Sequence, residues 1–259
     1  MLLENMAYPE VERYLEKRDV VLFPLGSTEQ HSPYGLMGTD FIAAEAVARR
    51  VGDRLSLLVA PTLAYGVSAH HMAFCGTVTL RPETLAGVVA DVIRSFLAHG
   101  LRRVLLVNGH GGNVAPVQSA LAALKYENAP GIYELLSWYD LPEVRQAAKE
   151  LFGEEEGQHA TPSEVSLSRR MRPYAFDGKP VRPAGRHRPE HHWPLNAGEF
   201  RAVFPDGRME SSPWLASAEH GEALLEKAAA ALAERVEKCL RLPLHEPSES
   251  TGPAGRDGR

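Results

Sequence analysis

Short, unbroken apolar runs alternate with longer Ala- and Leu-rich stretches through the first half of the chain, and this rhythm limits the fold more than any other feature. Asp19-Val-Val-Leu-Phe-Pro24 is one such run, and 55–60, Arg103-Val-Leu-Leu-Val107 and 132–136 are the others. A strand with one wet face alternates apolar and polar residues. These runs do not alternate, so they predict strands covered on both faces. Between them lie segments of helical pattern at 5–17, 39–51, 82 to 99, and from 113 to 125. Pro82 occupies a first-turn position with Glu83 behind it, and Gly100 marks the far end. Strand, helix, strand, helix predicts an α/β chain, a three-layer α/β/α sandwich with a mostly parallel central sheet. Ligands of such sheets bind beyond the carboxyl ends of the strands.

The rest of the chain departs from that rhythm. Residues 176–213 are proline-rich and polar and predict a long loop, of the kind that serves as a lid or subunit contact. Residues 214–240 predict a long helix, and 243–259 have the composition of a disordered tail, so 1–242 is expected to form a single domain. A net charge of −5 argues against nucleic acid or an anionic membrane as the main partner. No run approaches the ~18 apolar residues of a membrane span, and the opening MLLENMAYPEVERY lacks the pattern of a signal peptide. With only two cysteines, Cys75 and Cys239, no disulfide framework is expected, and a reducing cytoplasm is the predicted setting.

Chemistry gathers around the eleven histidines. Gly26-Ser-Thr-Glu29-Gln-His31 follows the first strand and leads to Gly38-Thr-Asp40. Oxygen and imidazole donors together suit Zn²⁺, Mn²⁺ or Fe²⁺, although Asp40 or Thr39 could equally cap the next helix. Asn108-Gly-His110-Gly-Gly-Asn113 follows the third strand. Its histidine would aim into the crevice as a metal ligand. A phosphate cradle is the competing reading, which would make the chain a non-catalytic binding protein. Against that, no Lys or Arg lies in 108–118, and the pattern is neither G-x-x-x-x-G-K-[ST] nor G-x-G-x-x-G. A closed structural zinc site would favour cysteine, which is absent from these motifs.

In Gln158-His159-Ala-Thr161-Pro-Ser-Glu164, Thr161 and Glu164 form a capping box with a first-turn proline. His159 just before it could shuttle protons as a neutral imidazole. His70 and His71 are adjacent in a loop that also holds Cys75, but no Cys-His-Asn pattern supports a thiol nucleophile. His187, His191 and His192 are expected to be solvated or at an interface.

In this order the motifs resemble the creatininase family of creatinine amidohydrolase-like proteins. GSTEQHSPYGLMGTD, SAHHMAFCGTVTL, NGHGGN, HATPSEVSL and LASAEHGEALLEKAAAAL are each similar to a family segment, and together they span about residues 18 to 238. The resemblance implies a layered α/β/α fold, a centre of two divalent ions (Zn²⁺, Mn²⁺ or Fe²⁺) and an assembly of several subunits, often a hexamer. It also implies hydrolysis of a non-standard or cyclic C–N amide bond of a small molecule. Family relatives include formamide hydrolases and cofactor-maturation peptidases. By position it assigns Glu29, His31, Asp40, His110 and Glu164 as metal ligands. Asp40 would bridge, with Glu29 and His110 on one ion and His31 and Glu164 on the other. His159, together with Glu164, would act in catalysis, donating a proton to the departing nitrogen. Gly111, Gly112, Trp138 and His71 would contact substrate, with Tyr139 beside Trp138 shaping the same pocket. Creatininase proper carries an aromatic residue and a metal-binding glutamate where Gly111 and Gly112 stand, a departure that counts against creatinine itself as substrate and favours Glu164 as the fifth ligand. Tyr34 and Gly35 where a His is usual, His70 where Glu is frequent, and Ser166 after Val165 are further departures.

Overall fold

All six residues of β1 (Val20–Leu25) are buried, and they form the middle of the sheet. In the computed structural model, which describes residues 1–179, 185 and 188–244, β1 pairs in parallel with β2 (Leu58–Val59) on one side and β3 (Arg103–Asn108) on the other. β3 pairs in parallel with β4 (Ile132–Ser137), giving the order β2-β1-β3-β4. Alternate side chains of these strands go to opposite layers. Val20, Leu22, Leu105, Val107 and Leu136 share one apolar cluster, while Val21, Phe23, Leu25, Val104 and Leu106 share the other. Unbroken apolar runs are the outcome, because both faces are covered.

The helices follow in chain order: α1 (Tyr8–Leu15), α2 (Thr39–Leu55), α3 (Pro82–Ala98), α4 (Val114–Tyr126), α5 (Pro142–Phe152), α6 (Pro162–Met171), α7 (Ala197–Val203) and α8 (Ala218–Arg241). The first cluster takes in α2, α5, α6 and α8, and the second takes in α1, α3 and α4. A three-layer α/β/α sandwich results. Each fully buried leucine in its core, such as Leu22 or Leu105, contributes roughly 1.5–3 kcal/mol. No described helix is long and apolar enough to cross a membrane.

Several sequence expectations need correction. The second strand is only Leu58–Val59 because α2 runs on to Leu55 and closes with Ser56 in a left-handed cap at φ 54°. Gly52 does not stop that helix. A Cβ there would lie 2.5 Å from the Val59 side chain, so the glycine serves close packing of helix on strand. α5 went unpredicted, although Pro142 stands at its first turn as Pro82 does in α3. The long loop expected at 176–213 contains α7, which starts on a capping box of Asn196 with Glu199. The last helix begins at Ala218, where Ser217 Oγ accepts from the His220 N–H. His187 and most of the expected tail, from 245 onward, lie outside the described residues.

Candidate metal centre

Two glycines bring the exits of β1 and β3 onto the first turn of α2. A Cβ on Gly26 would lie 2.4 Å from the Phe41 nitrogen, and one on Gly109 would lie 2.2 Å from the Asp40 carbonyl. Only bare backbone can pass so close. The Glu29–His31 segment, Asp40 and His110 therefore converge beyond the carboxyl ends of the strands. The first turn of α6 brings Glu164 to the wall of the same cavity. Asp40 does not cap α2, which starts at Thr39 after Gly38 with no side-chain cap, while the Thr39 hydroxyl donates to the Leu36 carbonyl.

Asp40 divides its carboxylate between two sets of donors. Its Oδ1 lies 3.0 Å from His31 Nε2 and its Oδ2 lies 3.1 Å from His110 Nδ1. Glu29 Oε1 is 3.4 Å from His110 Nδ1. Glu29, Asp40 and His110 form one group whose ligand atoms lie within 4.8 Å of one another. His31, Asp40 and Glu164 form a second. A third overlapping group joins Glu29, His31 and His159.

Each imidazole is oriented from behind by a main-chain carbonyl. His31 Nδ1 lies 3.2 Å from the Glu29 oxygen, His110 Nε2 2.8 Å from the Val67 oxygen, and His159 Nε2 2.9 Å from the Gln30 oxygen. A carbonyl accepts only, so in each ring that nitrogen carries a hydrogen, and the other nitrogen, on the side of the carboxylates, is the one that would ligate an ion. Glu29 Oε2 is buried with no hydrogen-bond partner, and His31 Nε2 and Asp40 Oδ2 are buried with only their ion-pair contacts. Leaving such atoms unpartnered is expensive, and divalent cations bound by N and O ligands would satisfy them. The residues present fit a metal.

Electrostatics agree. Burial alone would push the Glu29 and Asp40 carboxyls up, yet the neighbouring His110, His71 and His31 hold both far below the usual carboxylate range. Burial would lower His31, but Asp40, Glu164 and Glu29 raise it to about 9, and His110 is likewise raised well above its ordinary value. Imidazolium and divalent cation are thus alternative countercharges for the same carboxylates. Burial pushes Glu164 up to about 7. Burial and then the adjacent charge of His31 push His159 down to about 4, so it is neutral near pH 7.

The centre opens into a cavity of about 770 Å³, lined among others by His71, His110, Gly111, Gly112, Tyr139 and Glu164. That size suits a small-molecule site. At Gly112 a Cβ would lie 2.1 Å from the Val67 carbonyl and 2.5 Å from His110 Nε2, so no ligating side chain fits there. Trp138 is a correction. It is fully buried in the cluster under α2 and α8, and the next residue of the same turn, Tyr139, reaches the cavity wall instead. His71 is buried, with Nε2 3.5 Å from Glu29 Oε1. His191 is half-buried and lines the cavity, as does Trp193, which is exposed and stands edge-on to His70 at 5.1 Å; His192 is exposed. Cys75 is exposed and unpaired and is not part of this wall.

Sequence reasoning missed Glu156 and Gln30. Glu156 lines the cavity and accepts from the Ser163 hydroxyl, and the Ser163 two residues after Thr161 was its one available signal. Gln30 gave none.

Fold and site together define a metal-binding α/β protein. The family model for creatinine amidohydrolase matches residues 4–236, and the chain belongs to the creatininase family. It is 31% identical over 252 residues to the creatinine amidohydrolase of Pseudomonas putida, covering 90% of this chain and 94% of that one. It is 41% identical over 117 residues to the mycofactocin precursor peptide peptidase of Mycobacterium tuberculosis, covering 41% of this chain and 46% of that one. A solved creatininase in its Mn form superposes with a TM-score of 0.76 at 28% identity, covering 92% of this chain and 97% of the other. A Zn-Zn form of a creatininase variant gives 0.75 at 28% identity and the same coverage.

Proposed function

We propose that the chain is a metal-dependent amidohydrolase that cleaves a non-standard or cyclic C–N bond with two divalent ions. One observation carries this reading: the two oxygens of Asp40 face two separate donor sets, which is what a bridging carboxylate requires. Glu29 and His110 would complete one site, and His31 and Glu164 the other. Zn²⁺, Mn²⁺ and Fe²⁺ all suit this donor set. Such ions supply Lewis acidity toward a carbonyl and lower the pKa of water toward ~7.

The chain's own residues supply the rest. With Nε2–H on the Gln30 carbonyl, His159 enters the reaction with a bare Nδ1, so it accepts a proton from the attacking water before passing one to the departing nitrogen. The donor role implied by the resemblance therefore comes second. Because it is neutral near pH 7, that nitrogen is unprotonated when the substrate arrives. A phosphate-holding role for the glycine-rich loop is disfavoured because His110 faces carboxylates that would repel an anion.

A peptide-like substrate is the second reading. It is favoured by the cavity's reach from the centre to Arg145 and Lys149 on α5, which could receive a carboxylate. We further propose a homo-oligomer, following the family resemblance, and a cytoplasmic setting, which suits two unpaired cysteines. Elemental analysis tests the central claim. Protein purified without chelator is expected to hold about two divalent ions per chain, and Asp40→Asn is expected to lose both. Near-normal metal in that variant would remove the bridging role.

A further inference from the structure

Gln30 stands between two candidate ligands in sequence, yet its side chain is buried behind the centre and does not line the cavity. Its Oε1 accepts from the Ser32 N–H at 2.8 Å, which fixes which end of the carboxamide is nitrogen. Three groups then surround Nε2: the Gly207 carbonyl at 3.0 Å, His71 Nδ1 at 2.9 Å and His159 Nε2 at 2.9 Å. The nitrogen has two hydrogens, so it can serve only two of the three.

Hydrogen counting selects the pair. The Gly207 oxygen can only accept, so it takes one hydrogen. His159 Nε2 also lies 2.9 Å from the Gln30 main-chain oxygen, which can only accept as well. If His159 Nε2 carries a hydrogen, it satisfies that oxygen, and the second amide hydrogen goes to His71 Nδ1. Every group is then paired. The opposite assignment leaves the Gln30 carbonyl without its donor and turns a His71 hydrogen toward an amide nitrogen that cannot accept it.

We infer that Gln30 is a positioning residue that sets the tautomers of both His71 and His159. It leaves His159 Nδ1 as a lone pair turned toward the ligand cluster and aims His71 Nε2–H at Glu29. The distances follow that assignment: His159 Nδ1 lies 3.7 Å and His71 Nε2 3.5 Å from Glu29 Oε1. The two rings are stacked at 4.3 Å and 26°, and Gln30 holds His159 through its main-chain oxygen and His71 through its amide. The clamp closes from the turn after α7. Gly207 has φ +82°, and a Cβ there would lie 1.9 Å from Gln30 Oε1, so only glycine leaves space for the carboxamide beside this turn. The tautomers stand on hydrogen counting alone; their catalytic consequence rests on the hydrolase reading above.

The test uses zinc-loaded protein with ¹⁵N-labelled histidine, read by long-range ¹H–¹⁵N correlation. His71 and His159 are both expected as Nε2–H in the wild type. Gln30→Glu keeps the Ser32 contact but replaces the donor by an acceptor, so His71 should switch to Nδ1–H with metal content unchanged. On any amide the protein cleaves, kcat should fall about 10–100-fold with little change in KM. Gln30→Met, which fills the space without hydrogen bonds, should give His71 a mixture of tautomers. Finding His159 as Nδ1–H in the wild type would overturn the inference, as would an unchanged His71 in both variants or metal loss without a tautomer change. A tautomer switch in a protein that cleaves no amide would leave the Gln30 assignment standing and count against the hydrolase reading alone.

Discussion

Glu164 has two jobs, and a single substitution separates them. Oε2 accepts from the Thr161 N–H at 3.0 Å while the Glu164 N–H donates to Thr161 Oγ1 at 3.2 Å, closing the capping box of α6. The carboxylate also belongs to the donor group with His31 and Asp40. Glu164→Gln keeps an oxygen for Thr161 but offers the centre a poor ligand. Without metal, the variant should therefore fold with its cap intact, whereas Glu164→Ala should lose ~1 kcal/mol with the cap. The sign with pH is also set. Burial raises the carboxyl from 4.5 to about 7, so its ionisation takes stability from the metal-free fold as pH rises through that window. Gln has nothing to ionise, so at pH 8 the metal-free Gln variant should equal or exceed the metal-free wild type. Metal reverses the order. An ion present at 100 times its Kd adds about 2.7 kcal/mol, and at ~2–4 °C per kcal/mol for a chain of this size each ion should raise Tm by roughly 5–11 °C. Wild type should show two such increments and Glu164→Gln one, measured by thermal melts with and without chelator alongside elemental analysis. Equal metal content and equal Tm gain in the two proteins would refute the ligand role. A metal-free Gln variant as weak as Ala would refute the separation of jobs.

His159→Asn is expected to keep its metal and fold while losing about 10²–10⁴ in kcat, with a smaller loss on an activated ester whose leaving group needs no proton; metal loss would instead make His159 a ligand. Gly112→Ala should displace His110, since the new Cβ meets its ring and the Val67 carbonyl, and elemental analysis should show one ion fewer. Unchanged metal content there would mean the loop yields without moving the ligand.

The sheet was legible because residues such as Val20–Phe23 and Val104–Val107 are buried on both faces, and burial of that kind writes itself into consecutive letters. Helix ends were less so. Gly52 has the composition of a stop signal but lies where Val59 packs against it, a tertiary demand no local pattern carries. The ligand motifs were legible for a related reason: Glu29, His31 and Asp40 are close in sequence, and His110 and Glu164 sit in turn motifs with their own chemistry. Trp138 and Tyr139 could not be told apart, because which neighbour turns inward depends on the turn that follows β4. Gln30 was invisible, since its partners His159 and Gly207 lie 129 and 177 residues away.

The carbonyls behind the histidines and the carboxylates before them come from segments running from Glu29 to Glu164, joined only once β1 has paired with β3 and α6 has docked. Small zinc modules nucleate around their ion because the ligands are local. Here the loops that must close are long, and they close before any complete cage exists. An ion entering this centre meets a finished receptacle, so it does little to speed the chain toward its fold. Its leverage falls on the reverse step, holding together three remote stretches that must all separate before the protein can come apart.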